Sequence, residues 1–133
     1  MKMNVLTYQV SIGIGFLTVH EIDSENTLQS MYDLLDCSMV DVRRFELDGH
    51  VYDVWFDEEF FINGKDIIPT VLLGKKEGWA SEVLICGNVM YARSNEEGET
   101  IGLTDEDIQR LKDFQYETAP KAVRYYNKMR ARA

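Results

Sequence analysis

The chain has 133 residues, 45% of them hydrophobic and 28% charged, which is the balance of one globular domain and excludes a disordered polyelectrolyte. Its 14 Lys and Arg face 23 Asp and Glu, a formal charge of -9 that excludes a broad basic surface for tracking nucleic-acid phosphates. Two cysteines, Cys37 and Cys86, cannot make a disulfide framework, and no apolar run reaches the roughly 20 residues a bilayer demands. The expected setting is therefore the reducing cytoplasm, with no membrane contact.

In chain order, residues Asn4–Val10 and Phe16–Ile22 are β-rich runs around Gly13 and Gly15, which predicts a first antiparallel hairpin. Asn26 followed by Gln29 has the form of a helix capping box, and Leu28, Met31, Tyr32 and Leu35 keep the spacing of one buried helical face. Val40–Leu47 and His50–Asp57 flank Asp48-Gly49, the dipeptide of a type I′ turn. In the second of these strands Tyr52, Val54 and Phe56 alternate with Val51 and Trp55, so both faces are apolar and the strand is expected to be central or covered twice. Asn63-Gly64 marks a further turn, and Pro69 limits any strand that starts there.

Glu82–Gly87 encloses the short buried-strand run Val83-Leu84-Ile85-Cys86, and Val89–Arg93 is expected to continue it or pair with it. Asn95-Glu96-Glu97-Gly98-Glu99 is a polar loop. Thr104 then caps a helix whose first turn, Asp105-Glu106-Asp107, complements the helix dipole. Pro120 is expected to break or restart that helix, with Ala122–Arg132 helical again. The expected fold is α+β: a mostly antiparallel sheet with the first helix packed on it and C-terminal helices over an edge or the other face. Residues 1–118 form the single domain and residues 119–133 a basic helical tail.

Charge divides along the same line. Five of the 14 bases and no acid follow residue 118, so residues 1–118 hold nine bases against 23 acids, a formal -14. The acids gather at Asp57-Glu58-Glu59, at Glu96, Glu97 and Glu99, and at Asp105 and Glu106. These are the candidate partner-binding residues: carboxylates in a row can stand in for DNA phosphates in a basic channel, whereas the plain alternative is a solvated acidic face. In the tail, Arg124, Lys128 and Arg132 recur every four residues and line one helical face, a candidate contact for nucleic acid, for the acidic body or for a second copy.

Catalytic motifs are missing. Neither a G-x-S-x-G elbow nor a phosphate-binding loop occurs, and Gly13-Ile14-Gly15 lacks the third glycine of a dinucleotide fingerprint. His20 and His50 are not at zinc-ligand spacing to the cysteines, so neither metal nor cofactor is expected. Cys37 with His50 is the one nucleophile–base pair that the composition permits.

Four blocks carry a resemblance. They are Glu21-Ile22-Asp23 with Thr27-Leu28-Gln29 and Leu34-Leu35; Asp48-Gly49-His50-Val51-Tyr52-Asp53-Val54-Trp55-Phe56-Asp57-Glu58-Glu59; Val83-Leu84-Ile85-Cys86-Gly87; and Leu103-Thr104-Asp105-Glu106-Asp107-Ile108. In that order, over roughly residues 3–112, the chain resembles the domain of unknown function 3846 family of phages, plasmids and bacteria. The resemblance brings no reaction. It implies a phage or mobile-element setting, where small acidic proteins are often inhibitors of host defence, including DNA mimics and inhibitors of CRISPR nucleases. The leading expectation is a non-enzymatic acidic interaction protein that binds the basic site of a nuclease or another DNA-binding protein. The alternatives are a module for a nucleotide or divalent metal beside the Asp57-Glu58-Glu59 turn, and an enzyme using Cys37 or Cys86.

Overall fold

A computed structural model describes residues 1–11, 13–61, 67–74 and 81–132. The elements are β1 (Lys2–Ser11), β2 (Ile14–Asp23), α1 (Thr27–Leu35), β3 (Val40–Leu47), β4 (His50–Asp57), β5 (Pro69–Leu73), β6 (Val83–Cys86), β7 (Val89–Ser94), β8 (Thr100–Ile101) and α2 (Asp105–Ala131). The main sheet is antiparallel in the order β2-β1-β7-β4-β3, with β8 paired to the end of β7. This is the expected α+β architecture.

The alternation of side chains along each strand sorts the core into two layers. On one face, Leu6, Tyr52, Val54, Phe56, Val89 and Tyr91 pack with Leu103, Ile108 and Leu111 and with Val71, Leu73 and Ile85. This layer holds α2 and the small β5-β6 hairpin against the sheet. On the other, Met3, Val5, Ile22, Met90 and Ala92 receive Met31 and Leu35 of α1, with Trp55 packed against them. β4 thus has apolar cover on both faces, as its two apolar stripes predict.

The β3–β4 hairpin follows from two residues. Asp48 at φ 51° and Gly49 at φ 80° both take the left-handed backbone of a type I′ turn, and the predicted strand ends are met to the residue. The first hairpin is longer than expected: Ser11 pairs with Ile14, so the ladder runs on to the turn at residues 12–13. Within it the Tyr8 ring lies over Gly15, in space that a Cβ there would claim.

Three expectations change. Asn26 makes no side-chain cap; Asp23 instead accepts from the Glu25 N–H at 3.0 Å and caps a short 3₁₀ turn ahead of α1. β7 neither continues nor pairs with β6. Gly87, at φ 81°, lies between them; β6 pairs β5, and β7 inserts between β1 and β4. Finally, α2 is one helix of 27 residues that passes through Pro120 and through the junction at residues 118–119. The residue whose carbonyl loses a partner at Pro120, Tyr116, is 70% exposed, so water can take the place of the missing N–H. The Asn63-Gly64 turn lies outside the described residues.

Pro120→Ala restores one helical hydrogen bond at an exposed site and is expected to raise stability by about 1 kcal/mol, less than the ~3 kcal/mol of a buried helix interior, because proline also stiffens the unfolded chain. Urea unfolding followed by circular dichroism measures it; a loss of stability would show that the ring itself is a packing element.

Candidate functional site

The register of the sheet places the acidic clusters. Phe56 of β4 is opposite Val89 of β7, and Asp53 is opposite Ala92. Asp57-Glu58-Glu59 therefore leaves β4 where β7 begins, and Glu96, Glu97 and Glu99 sit where β7 ends. The start of α2 belongs to this second end, since Asp107 bonds Tyr52 and Arg93. The three clusters do not form one row: Asp57 stands five strand steps, about 17 Å, from Tyr52 beside the start of α2, and six steps, about 20 Å, from Ser94, beyond which the Glu96, Glu97 and Glu99 loop begins.

At the β7 end, Asn95 builds the loop. Its Oδ1 accepts from the N–H groups of Glu97 (3.0 Å) and Glu99 (2.9 Å), and Gly98 takes φ 83°, which leaves Glu96, Glu97 and Glu99 exposed. Asp105 and Glu106 are exposed on the first turn of α2. Asp107 is not. It completes a reciprocal capping box with Thr104 and is buried under Arg93, Arg110 and Tyr52.

At the other end the structure gathers residues that no motif joins. α1 stops at Asp36, whose left-handed φ of 52° turns the chain, and the N–H of Cys37 returns to the Tyr32 carbonyl at 3.2 Å. This turn lies beside the end of β4, where Asp57 is buried and accepts from the Glu59 N–H at 2.8 Å. Together they form an open groove of about 750 Å³, lined by Asp33, Asp36, Asp57 and Glu59 with Gln29, Tyr32, Cys37 and Ser38. Asp33 accepts from Gln29 at 3.0 Å, which fixes one of the acids.

Asp33 and Asp36 belong to no acidic cluster of the sequence, because each stands alone there. One signal does mark them: Asp33 falls in the last turn of α1, which holds no base, and Asp36 caps its end. A helix C-terminus is the negative end of the dipole, so acids there raise local free energy. Their charge adds to that of the helix end and of Asp57 and Glu59. The groove is thus a site of concentrated negative charge.

Among the described residues, no three His, Cys, Asp or Glu converge in a geometry that could hold a metal ion. The Cys37–His50 pair is not assembled. Cys37 lines the groove at the Asp57 end of β4, and His50 begins that strand about 23 Å away. Cys86 is buried, and burial pushes its thiol up to about 12, far from a thiolate at neutral pH. His20 is bonded to the Thr7 hydroxyl at 3.0 Å.

The basic tail forms the last turns of α2. Arg124, Lys128 and Arg132 are exposed there, and the Arg130 guanidinium lies 5.6 Å from the centre of the Tyr126 ring. No helix among the described residues is long and apolar enough to cross a membrane.

No curated protein and no solved structure matches the chain. A family model does, over residues 5–115, and it ends before the basic tail. The chain belongs to the family described as Domain of unknown function (DUF3846).

Proposed function

We propose that this domain is a non-enzymatic interaction protein whose acid-lined groove receives a basic segment of a partner protein. One observation carries the reading: Asp33, Asp36, Asp57 and Glu59, from two distant parts of the chain, line one concavity at the negative end of α1. Such a groove complements Lys- and Arg-rich surfaces, the kind that grip nucleic-acid phosphates. The exposed acids at the far end of the sheet offer a second negative patch to the same partner. A nuclease or other DNA-binding protein of the bacterial host fits this chemistry, with the domain, encoded by a phage or mobile element, acting as its inhibitor in the host cell. A nucleotide fits poorly, because its phosphates would face four carboxylates.

The test is capture from a bacterial lysate across a salt series, beside binding of a fluorescein-labelled oligolysine peptide. Retention of a DNA-binding protein at low salt, lost as salt screens the contact, is expected. The double variant Asp33→Lys, Glu59→Lys should weaken both readouts about tenfold or more. Unchanged binding of oligolysine and of the captured protein by that variant would refute the groove as the receptor. A thermal shift with Mg²⁺ or Ca²⁺ but none with oligolysine would favour a metal-binding module instead.

A further inference from the structure

The basic end of α2 is a surface that the fold itself leaves unused. Among the described residues, Lys121, Arg124, Lys128, Arg130 and Arg132 make no ion pair, although residues 1–118 carry a formal -14. Arg124, Lys128 and Arg132 stand at i, i+4 and i+8, so successive bases lie about 6 Å apart on one face of the helix. Their spacing presents a line of positive charge about 12 Å long.

The same structure keeps this line away from the groove of its own chain. α2 packs through Ile108 and Leu111 on one face of the sheet, and α1 packs through Met31 and Leu35 on the other. The groove belongs to the α1 side. Because α2 is unbroken through Pro120, its last turns are a rigid extension, and no hinge in it lets them return around the sheet edge.

We propose that the basic end of α2 docks in the acid-lined groove of a second copy of the chain. Charge complementarity selects this occupant: a line of three bases meets a groove that presents Asp33 and Glu59 at the negative end of α1. Reciprocal exchange closes a two-fold dimer, and one-way docking continues as a chain of copies. The inference rests on the groove being a receptor for basic segments, and it adds regulation to that reading. The helix of a second copy and the basic segment of a partner compete for the same carboxylates, so self-association holds the groove closed until a partner displaces it.

Sedimentation velocity of the full chain at about 0.05 M and about 0.5 M salt tests this. Dimers or longer species are expected at low salt and monomers at high salt. The tail variant Arg124→Glu, Lys128→Glu, Arg132→Glu, altered only at exposed positions, should associate about tenfold more weakly or worse. The groove variant Asp33→Lys, Glu59→Lys should show the same loss, and a chain carrying both sets of reversals should regain association. Monomers at low salt, or association that survives the tail reversals, overturn the proposal. Oligolysine separates the two readings: if the tail variant binds it but the native chain does not self-associate, the docking fails and the receptor groove stands. If oligolysine is not bound, both fail.

Discussion

Leu111→Ala is expected to be the most damaging single truncation on α2, at about 3 kcal/mol. Leu111 is fully buried where the helix meets the sheet, in one cluster with Tyr52, Tyr91 and Ile108 from α2, β4 and β7. Truncation removes its transfer free energy and leaves a cavity in a cluster whose two tyrosines are held in place by their hydroxyls: Tyr52 donates to Asp107 and Tyr91 to Gln115. A domain of this size has only about 5–15 kcal/mol in all, so the midpoint of thermal unfolding should fall by roughly 10 °C. Val123→Ala, on the same helix but 42% exposed, is the control and should stay within about 0.5 kcal/mol. Urea unfolding decides it. Equal losses at the two positions would mean that the far end of α2 is as deeply packed as its middle.

Local chemistry is readable. Asp48-Gly49 fixes a turn whose two strands can start and stop only where they do, and Thr104 with Asp107 fixes the start of α2. Non-local pairing is not readable. Val83–Cys86 and Val89–Ser94 are both short apolar runs separated by two residues, and nothing in them says that one joins β5 while the other enters the main sheet between β1 and β4.

The middle of α2 is obscured for a different reason. Two positions of its buried stripe are polar, Gln115 and Thr118. They are buried because they serve the backbone of β5: Gln115 donates to the Thr70 carbonyl at 2.8 Å, and the Thr118 hydroxyl accepts from the Leu72 N–H at 2.9 Å and donates to its carbonyl at 3.1 Å. The edge of β5 away from β6 is thereby satisfied by helix side chains, and the apolar periodicity that would extend the helix through Pro120 is broken by the residues that anchor it. The groove was hidden similarly. Asp57 and Glu59 are visible as a cluster, but Asp33 and Asp36 join them only through the packing of α1 against the end of β4. Of the tail, the helical spacing of the bases was legible, and its rigid continuity with α2 was not.

Asp107→Asn should cost about 2–3 kcal/mol, almost as much as the cavity at Leu111, although it changes no volume. Both carboxylate oxygens are used. Oδ1 accepts from the Tyr52 hydroxyl at 2.7 Å and from Arg110 at 3.4 Å, and Oδ2 accepts from the Thr104 N–H at 2.9 Å and faces the Arg93 guanidinium at 3.2 Å. An amide can replace only one oxygen; whichever way it turns, its NH₂ faces two donors. Burial alone would raise the Asp107 carboxyl, but the Thr104 backbone N–H, the Tyr52 and Thr104 hydroxyls and Arg93 outweigh it and hold the group below the usual carboxylate range. A depressed acid stabilises the fold above its unfolded pKa, and that contribution is lost as pH falls through the folded value. The native chain should therefore lose stability below about pH 4, while Asp107→Asn loses less over the same window, so the gap between them narrows in acid. Urea midpoints from pH 7 to pH 3 measure the gap; a constant difference would mean that the carboxylate acts by shape alone. Since this network sits at the far end of the sheet from the groove, the variant should bind oligolysine like the native chain while folded, which separates the residue that anchors α2 from those that bind.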